Sequence, residues 1–167
     1  TLEPYTLNLT SLNKPMDIAF DSEGNMYIAD SNNDRIVVLN PYNLNLAPYT
    51  FGLSGVGAGY LNKPEGIDLG KTIDNRLSTI DLIYVTDRNN DMVKIFDEYG
   101  FQLCQFGGSG NSDGRFNKPE GILLSLTSDH LPLIYVVDRN NNRVQKFGWQ
   151  EYTQPTQDVS DLSLIHI

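Results

Sequence analysis

One short motif occurs three times in this chain, and this internal repetition limits the available folds more than any other feature. It reads Leu-Asn-Lys-Pro-Met-Asp-Ile at residues 12–18, Leu-Asn-Lys-Pro-Glu-Gly-Ile at 61–67 and Phe-Asn-Lys-Pro-Glu-Gly-Ile at 116–122. A second motif, best seen as Ile-Tyr-Val-x-Asp-Arg-Asn-Asn, follows each copy at residues 26–33, 83–90 and 134–141. Repeats of this length, built from short strands and turn residues, indicate an array of similar supersecondary units.

Each repeat predicts a four-stranded antiparallel meander. The first strand begins after the Lys-Pro pair, because proline fixes φ and lacks a donor. The second is the Ile-Tyr-Val run, and Asp-Arg-Asn-Asn then turns the chain because Asn and Asp tolerate positive φ. The third strand alternates, as in residues 92–96, and the fourth spans residues 101–106 in repeat two and about 46–51 in repeat one. Repeat three shows no convincing fourth strand.

The same alignment makes structural predictions about burial. Three isoleucines and three tyrosines should occupy equivalent positions in the three units, with the isoleucines buried: Ile18, Ile67, Ile122, Tyr27, Tyr84 and Tyr135. Because no segment has an apolar period of 3.6 residues, strands should dominate and no helix should exceed about one turn.

Composition narrows the classes of partner. A chain of 167 residues suffices for one domain with one sizeable core. The net charge of −9 repels a phosphate backbone, and no Lys/Arg cluster is longer than two residues. Nucleic acid is therefore an unfavourable partner. No stretch reaches the roughly 18 apolar residues that a membrane helix needs.

Together the motifs resemble the NHL repeat family, whose pattern runs Pro-x-Gly-Ile, then Tyr-Val-Ala-Asp-x-x-Asn-x-Arg-Val, then Phe-x-x-x-Gly. The resemblance covers about residues 12–148 and is closest in repeats two and three, whereas Asp17 replaces the glycine in repeat one. It implies an all-β fold, a partial β-propeller of NHL type. Known NHL propellers have six blades, so this chain would supply about three four-stranded antiparallel blades.

The expected organisation follows from the repeat boundaries. We expect residues 1–11 to form the outer strand of a preceding blade. Blade 1 should span residues 12–60, blade 2 residues 61–115 and an incomplete blade 3 residues 116–150. Residues 151–167 are interpreted as a polar tail, and its last six residues match the translation of a sequencing-library adapter, as in a fragment from environmental DNA. An ordinary hydrophobic last strand is the alternative. Open blade edges favour self-association.

Successive strands reverse direction, so the Lys-Pro turns and the Asp-x-Asn-Asn turns should share one polar face. This face carries the candidate ligand-binding residues, which are Arg88, Arg139, Asn89, Asn140, Lys63 and Lys118. For the two arginines, a solvated surface or a pair between blades is the alternative. The opposite face receives the loops between the first and second strands, and it stays a second candidate.

Other charged residues favour structural roles. Asp30, Asp87 and Asp138 end the second strands, where a carboxylate can accept turn amide hydrogens. Arg35 and Arg143 follow their aspartates by five residues, a spacing that predicts bridges between neighbouring blades. Met92 takes that position in repeat two, so no such bridge is expected there.

Two glutamates suggest a metal site. Glu65 and Glu120 begin the innermost strands, and Asp17 lies one position later in repeat one. Several oxygen ligands that converge there would suit Ca²⁺. The resemblance to propeller lactonases of the gluconolactonase type, which place a glutamate at a similar strand start, points the same way. Repeated turns also bring carboxylates together by symmetry alone. No other cofactor is expected.

The resemblance leaves three functions open. The favoured one is a non-catalytic NHL scaffold, as in extracellular or periplasmic sensor domains, that presents its polar face to a protein, peptide or glycan. The second is a propeller lyase or Ca²⁺-dependent lactonase with most catalytic residues on other blades, since only His130 and His166 supply histidine here. The third is an RNA-binding NHL module, which the acidic balance disfavours. No catalytic residue is predicted in this chain.

Overall fold

The structure is a computed structural model that describes residues 9, 11–43, 47–73, 79–126, 132–150 and 163–166. Strands make up 57% of it, and the helical segments within these ranges are 3₁₀ turns of three residues each. The prediction of a strand-dominated chain is therefore confirmed. None of the described helical segments is long and apolar enough to span a membrane.

The strands form three antiparallel sheets of four. Sheet 1 contains β1 Pro15–Phe20, β2 Met26–Asp30, β3 Arg35–Leu39 and β4 Tyr49–Phe51. Sheet 2 contains β5 Pro64–Ile73, β6 Thr79–Asp87, β7 Met92–Phe96 and β8 Gln102–Gly107. Sheet 3 contains β9 Pro119–Leu126, β10 Pro132–Asp138, β11 Arg143–Gln150 and β12 Ser163–His166. Within each sheet the strands lie in chain order, as a meander requires.

Sheet 3 differs from its prediction because it has a fourth strand. Ser163–His166 pairs antiparallel with β11, from Gln150 opposite Ser163 to Phe147 opposite His166. The end of the predicted polar tail is therefore a paired strand in the structure. The outer strand predicted at residues 1–11 lies mostly outside the described residues.

Each second strand ends in an aspartate, and a 3₁₀ turn follows it. The residue that closes each turn is left-handed, with φ of 53°, 54° and 53° at Asp34, Asp91 and Asn142. These residue types accept that conformation readily. The turns also meet the Lys-Pro segments, because the backbone N–H groups of Asn32, Asn89 and Asn140 donate to the carbonyls of Asn13, Asn62 and Asn117 at 3.0 Å. Both kinds of turn therefore lie at the same end of each sheet, as predicted.

Two apolar cores hold the sheets side by side. The core between sheets 1 and 2 is a cluster that contains Tyr27, Ala29, Ile36, Val38, Phe51, Leu61, Ile67, Ile83, Val85 and Phe96. The core between sheets 2 and 3 contains Tyr84, Val93, Ile95, Phe116, Ile134, Val136 and Phe147. Successive side chains on a strand point to opposite faces, so sheet 2 contributes to both cores and is covered on both sides.

The three isoleucines occupy equivalent positions but differ in burial. The register places Ile18, Ile67 and Ile122 opposite Ile28, Val85 and Val136, respectively. Ile67 is 3% exposed and Ile122 is half-buried, whereas Ile18 is 54% exposed. The prediction that all three are buried is therefore wrong for Ile18. Its side chain lies on the face of sheet 1 that points away from sheet 2.

Two outward faces carry exposed apolar side chains. On sheet 1 they are Met16, Ile18 and Phe20 of β1. On sheet 3 they are Leu123, Val137 and Val144, and Val144 takes the position of Val93, which sheet 2 buries against sheet 3. Contiguous exposed apolar surface favours association.

We expect Ile67→Ala to lower the free energy of unfolding by about 2–4 kcal/mol, because it opens a cavity between sheets 1 and 2. Ile18→Ala is the matched control. It removes the same atoms from the equivalent exposed position, and it should cost less than about 1 kcal/mol. Urea denaturation of both variants measures the difference. Equal losses would contradict the assignment of sheet faces.

We also expect the chain to self-associate at tens of micromolar through its outward apolar faces. Val144→Lys places a charge on the open face of sheet 3, so the average mass in sedimentation should fall toward the monomer. Val56→Lys makes the same change at an exposed position of the segment between sheets 1 and 2 and should leave the mass unchanged. A wild-type chain that sediments as a stable monomer would refute this expectation.

Candidate functional site

A row of alternating charges lies at the polar end of the first strands, and we call it the Glu–Arg row. It consists of Glu65, Arg88, Glu120 and Arg139. The glutamates follow the prolines at the starts of β5 and β9, where the pairing register shifts. The arginines open the 3₁₀ turns that follow β6 and β10. Sheets 2 and 3 therefore each contribute one glutamate carboxylate and one arginine guanidinium to the row.

The row is continuous across the two sheets. Arg88 Nε lies 3.4 Å from Glu65 Oε2 in its own sheet and 3.7 Å from Glu120 Oε1 in the next. Arg139 Nη1 lies 3.0 Å from the same Glu120 oxygen. Arg139 is 54% exposed, so the row runs from a buried end to a solvent-exposed end. The structure therefore brings together the two arginines that the sequence predicts as ligand residues.

The buried end of the row contains unsatisfied groups. Glu65 is 6% exposed, and neither its Oε2 nor Arg88 Nε has a hydrogen-bond partner among the described residues. Burial raises the pKa of Glu65 above its usual value, and Arg88 lowers it in opposition. Glu65 also lines a cavity of about 140 Å³ with Met16, Asp17, Gly66, Glu120 and Gly121.

The three residues of the predicted Ca²⁺ site line this cavity, and each of them already contacts a protein group. Asp17 accepts hydrogen bonds from the backbone of Ile18 at 2.9 Å and of Ile67 at 3.0 Å. Glu65 and Glu120 pair with arginines. Over the described residues, no group of three or more His, Cys, Asp or Glu side chains is placed to hold a metal ion. Calcium at Asp17, Glu65 and Glu120 remains a prediction.

The other predicted ligand residues connect neighbouring turns. Asn89 Nδ2 donates to Asn62 Oδ1 at 2.8 Å, and Lys118 Nζ donates to Asn89 Oδ1 at 3.2 Å. Asn140 repeats the first of these contacts in sheet 3. The backbone N–H of Lys63 donates to Asp34 of sheet 1 at 2.8 Å. Asn89, Lys118, Asn140 and Lys63 therefore join neighbouring turns of the polar face.

The aspartates at the ends of the second strands are structural, as predicted. Arg35 Nε and Arg143 Nε donate to Asp30 and Asp138 of their own sheets at 2.8 and 2.9 Å. They also donate to backbone carbonyls of the segment that precedes their sheet. Ser11 and Ser112 lie in the ranges predicted for the preceding blades, 1–11 and 61–115, so these contacts agree with the predicted bridges, and the aspartate pairs within each sheet add to them.

Sheet 2 keeps the ion pair although Met92 replaces the arginine. Lys94, two positions further along β7, brings Nζ to 2.9 Å from Asp87, and both side chains are fully buried. Nζ also donates to the carbonyls of Gly57 and Tyr60. The prediction that repeat two has no bridge is therefore wrong, because it considered only the position of Met92, and Lys94 makes the contacts instead. The lysine lies on the same face, because side chains two residues apart on a strand share a face.

The opposite end of the sheets holds a larger depression, which we call the tyrosine cleft. It has a volume of about 490 Å³ and is lined by Asp21, Glu23, Asn25, Tyr27, Tyr49, Glu98 and Tyr99. Sheet 1 supplies its β1–β2 turn and two tyrosines, and sheet 2 supplies its β7–β8 turn. Tyr49 Oη donates to the Glu98 carbonyl at 2.5 Å and so ties the two sheets together.

Sequence reasoning did not find this cleft. The only available signal was a tyrosine or an acid in each of two turns that belong to different repeats. Their proximity depends on how sheets 1 and 2 pack. Burial raises the pKa of Tyr27 and of Tyr49, and the nearby Asp21 contributes in the same direction.

Comparisons with known proteins support the fold and leave the family open. No protein-family model matches the chain, and no curated protein matches it. An auxiliary nutrient binding protein from Bacteroides thetaiotaomicron superposes with a TM-score of 0.59 and 23% identity over 77% of this chain. A protein described as "Putative phosphatase" from the same organism gives a TM-score of 0.61 and 18% identity over 78% of the chain. The chain spans 36% and 33% of these two structures, so the similarity concerns the shared β-sheet fold.

We expect Arg88→Met to destabilise the protein by about 1–3 kcal/mol at neutral pH, because it leaves the Glu65 carboxylate buried without a cation. Burial already raises the pKa of Glu65, so stability is lost as pH rises through the folded-state pKa, and removal of Arg88 increases that loss. The difference from wild type should therefore shrink as the pH falls below the usual pKa of a glutamate. Urea denaturation across this pH range measures it.

The double variant Glu65→Met with Arg88→Ser provides the control, because it reproduces the residues that sheet 1 carries at the matching positions, Met16 and Ser31. It should recover most of the lost stability and abolish the added pH dependence. A pH-independent loss in Arg88→Met alone would show that packing, and not the charge of Glu65, causes the effect.

Proposed function

We propose that this chain is a non-catalytic binding scaffold of the NHL β-propeller type, whose polar face binds a protein, peptide or glycan. Its three sheets would be three blades. The NHL-like motifs support this interpretation, as does the repeated packing of each sheet on the next through alternate faces. The similarity to an auxiliary nutrient binding protein agrees with a binding role.

The solvent-exposed end of the Glu–Arg row is the observation that carries the proposal. Arg139 holds a planar guanidinium in solution, fixed by one carboxylate of Glu120 that is itself partly exposed. A guanidinium offers five donors in a flat fork, which suits carboxylates and sugar hydroxyls. The buried Glu65 and Arg88 behind it limit the positions that Glu120 can take. The face thus presents a preorganised donor and acceptor side by side.

The polar turns around the row provide a rigid frame. Asparagine side chains join neighbouring turns, and Lys118 is anchored on Asn89. A site held by such contacts loses little conformational freedom when it binds, which favours affinity. The net charge of −9 disfavours RNA as the partner.

We expect Arg139→Gln to weaken binding at this face by about tenfold, since it removes a charge-assisted donor pair. The measurement uses two probes, a glycan array and an array of random 15-residue peptides, screened first with the wild-type chain. Arg115→Gln is the control, because Arg115 is an exposed arginine of the segment between sheets 2 and 3, outside the row. Binding that is absent from both arrays, or that is equal in the two variants, would refute the proposal.

A further inference from the structure

The tyrosine cleft has the size and position of a separate binding site. Its volume of about 490 Å³ falls within the roughly 300–1,000 Å³ that is typical of small-ligand pockets. It lies at the end of the sheets away from the Glu–Arg row, so the two sites do not share residues. An inference about the cleft is therefore independent of the function proposed for the polar face.

The described lining of the cleft carries negative charge only. Three carboxylates line it, and none of the lining residues is basic. Asp21 is held by hydrogen bonds from the backbone of Glu23 and Asn25 at 2.9 and 2.8 Å, so it forms part of the wall. Glu23 and Glu98 take part in none of the ion pairs between described residues. Their charges are available to a ligand.

Three tyrosines and Asn25 form the rest of the lining. Tyr27 is buried and donates to Asp21 Oδ2 at 3.3 Å, so it forms a fixed inner wall. Tyr49 is anchored by its bond to the Glu98 carbonyl, and Tyr99 is 72% exposed at the rim. Burial raises the pKa of Tyr27 and of Tyr49, whereas a hydrogen bond to Glu98 and the charge of Glu98 raise the pKa of Tyr99.

Aromatic rings and carboxylates together select one ligand class. A cation near the face of a tyrosine ring is attracted by the ring quadrupole, and the attraction grows when water is excluded. The carboxylates add Coulomb attraction and accept N–H hydrogen bonds. A phosphate or another anion would be repelled. A hard metal ion prefers several oxygen ligands without aromatic walls, and no such group is present among the described residues.

We propose that the tyrosine cleft binds an organic cation, the guanidinium or ammonium group of a basic side chain in a peptide. Tyr49 and Tyr99 flank the cationic group, while Glu23 and Glu98 accept its hydrogen bonds. The cleft spans sheets 1 and 2, so a bound cation also bridges the two sheets.

The test uses acetyl-Gly-Arg-Gly-amide as the probe and the same peptide with citrulline as a neutral isostere. Isothermal titration calorimetry of the intact chain at low salt should show that the arginyl peptide binds about tenfold more tightly than the citrulline peptide. The affinity for the arginyl peptide should fall as salt is added. Ring resonances of Tyr49 and Tyr99 should shift with the arginyl peptide. The proposal would be overturned if both peptides bound with equal affinity. It would also be overturned if the arginyl peptide showed no detectable binding at about 10 mM, which corresponds to a binding free energy of less than about 3 kcal/mol.

Variants separate the two parts of the site. Glu98→Gln should weaken the arginyl peptide about threefold to tenfold, and Tyr99→Leu should do the same by removing the exposed ring. Asp113→Asn makes a matched neutralisation at an exposed aspartate at the other end of the sheets and should leave affinity unchanged. If Asp113→Asn lowers the affinity as much as Glu98→Gln, the attraction is only the net charge of the protein and the cleft is not the site.

Maltose provides the last comparison, because it is a neutral sugar. If maltose bound as tightly as the arginyl peptide, the cleft would be assigned to glycans instead.

Discussion

A fully buried aspartate at the end of each second strand is the interaction on which the polar end of every sheet depends. Asp30, Asp87 and Asp138 each accept the backbone N–H of the asparagine before the Lys-Pro pair, at 2.7–2.8 Å. Each also accepts an asparagine of the following 3₁₀ turn and one cationic side chain. A buried carboxylate is stable only when its charge and lone pairs are compensated in this way. One residue therefore fixes three segments of chain.

Contacts between the inner strands then set how one sheet lies on the next. Thr86 Oγ1 accepts the N–H of Gly66 and donates to the Glu120 carbonyl of the neighbouring sheet. A Cβ atom at Gly66 would lie 2.2 Å from that carbonyl oxygen, so this approach requires glycine. Asp17 and Asp68 make comparable connections, each accepting a backbone N–H of the next sheet. Sheets joined so closely hold Glu65, Arg88 and Glu120 in one row.

The two ends of the sheets consequently have different chemistry. At the polar end, charges of both signs alternate and largely neutralise one another, so recognition there depends on the geometry of donors and acceptors. At the opposite end, the lining of the tyrosine cleft combines negative charge with aromatic surface. The short turns between the first two strands of sheet 1 and the last two strands of sheet 2 meet there because the apolar core between these sheets brings Tyr49 to Glu98. One scaffold therefore offers two surfaces suited to different ligands.

The repeats by themselves determined the first three strands of each unit, the turns and the polar end, because each depends on residues close in the chain. Proline, alternating β-branched residues and Asp-Arg-Asn-Asn act locally, and this made the meander predictable. Burial was not predictable in the same way. Ile18 and Ile67 occupy the same position of the repeat, yet only Ile67 faces another sheet.

Partners that come from different segments were decided by the tertiary structure alone. Buried Asp87 requires a cation near its carboxylate, and Met92 cannot provide one. Lys94 provides it instead, because it lies on the same face of β7 as Met92. The Glu–Arg row and the tyrosine cleft each join residues of two sheets, whose contact depends on apolar packing and close backbone approach. The amino-acid pattern specifies each unit, whereas the environment of a side chain depends on which unit covers it.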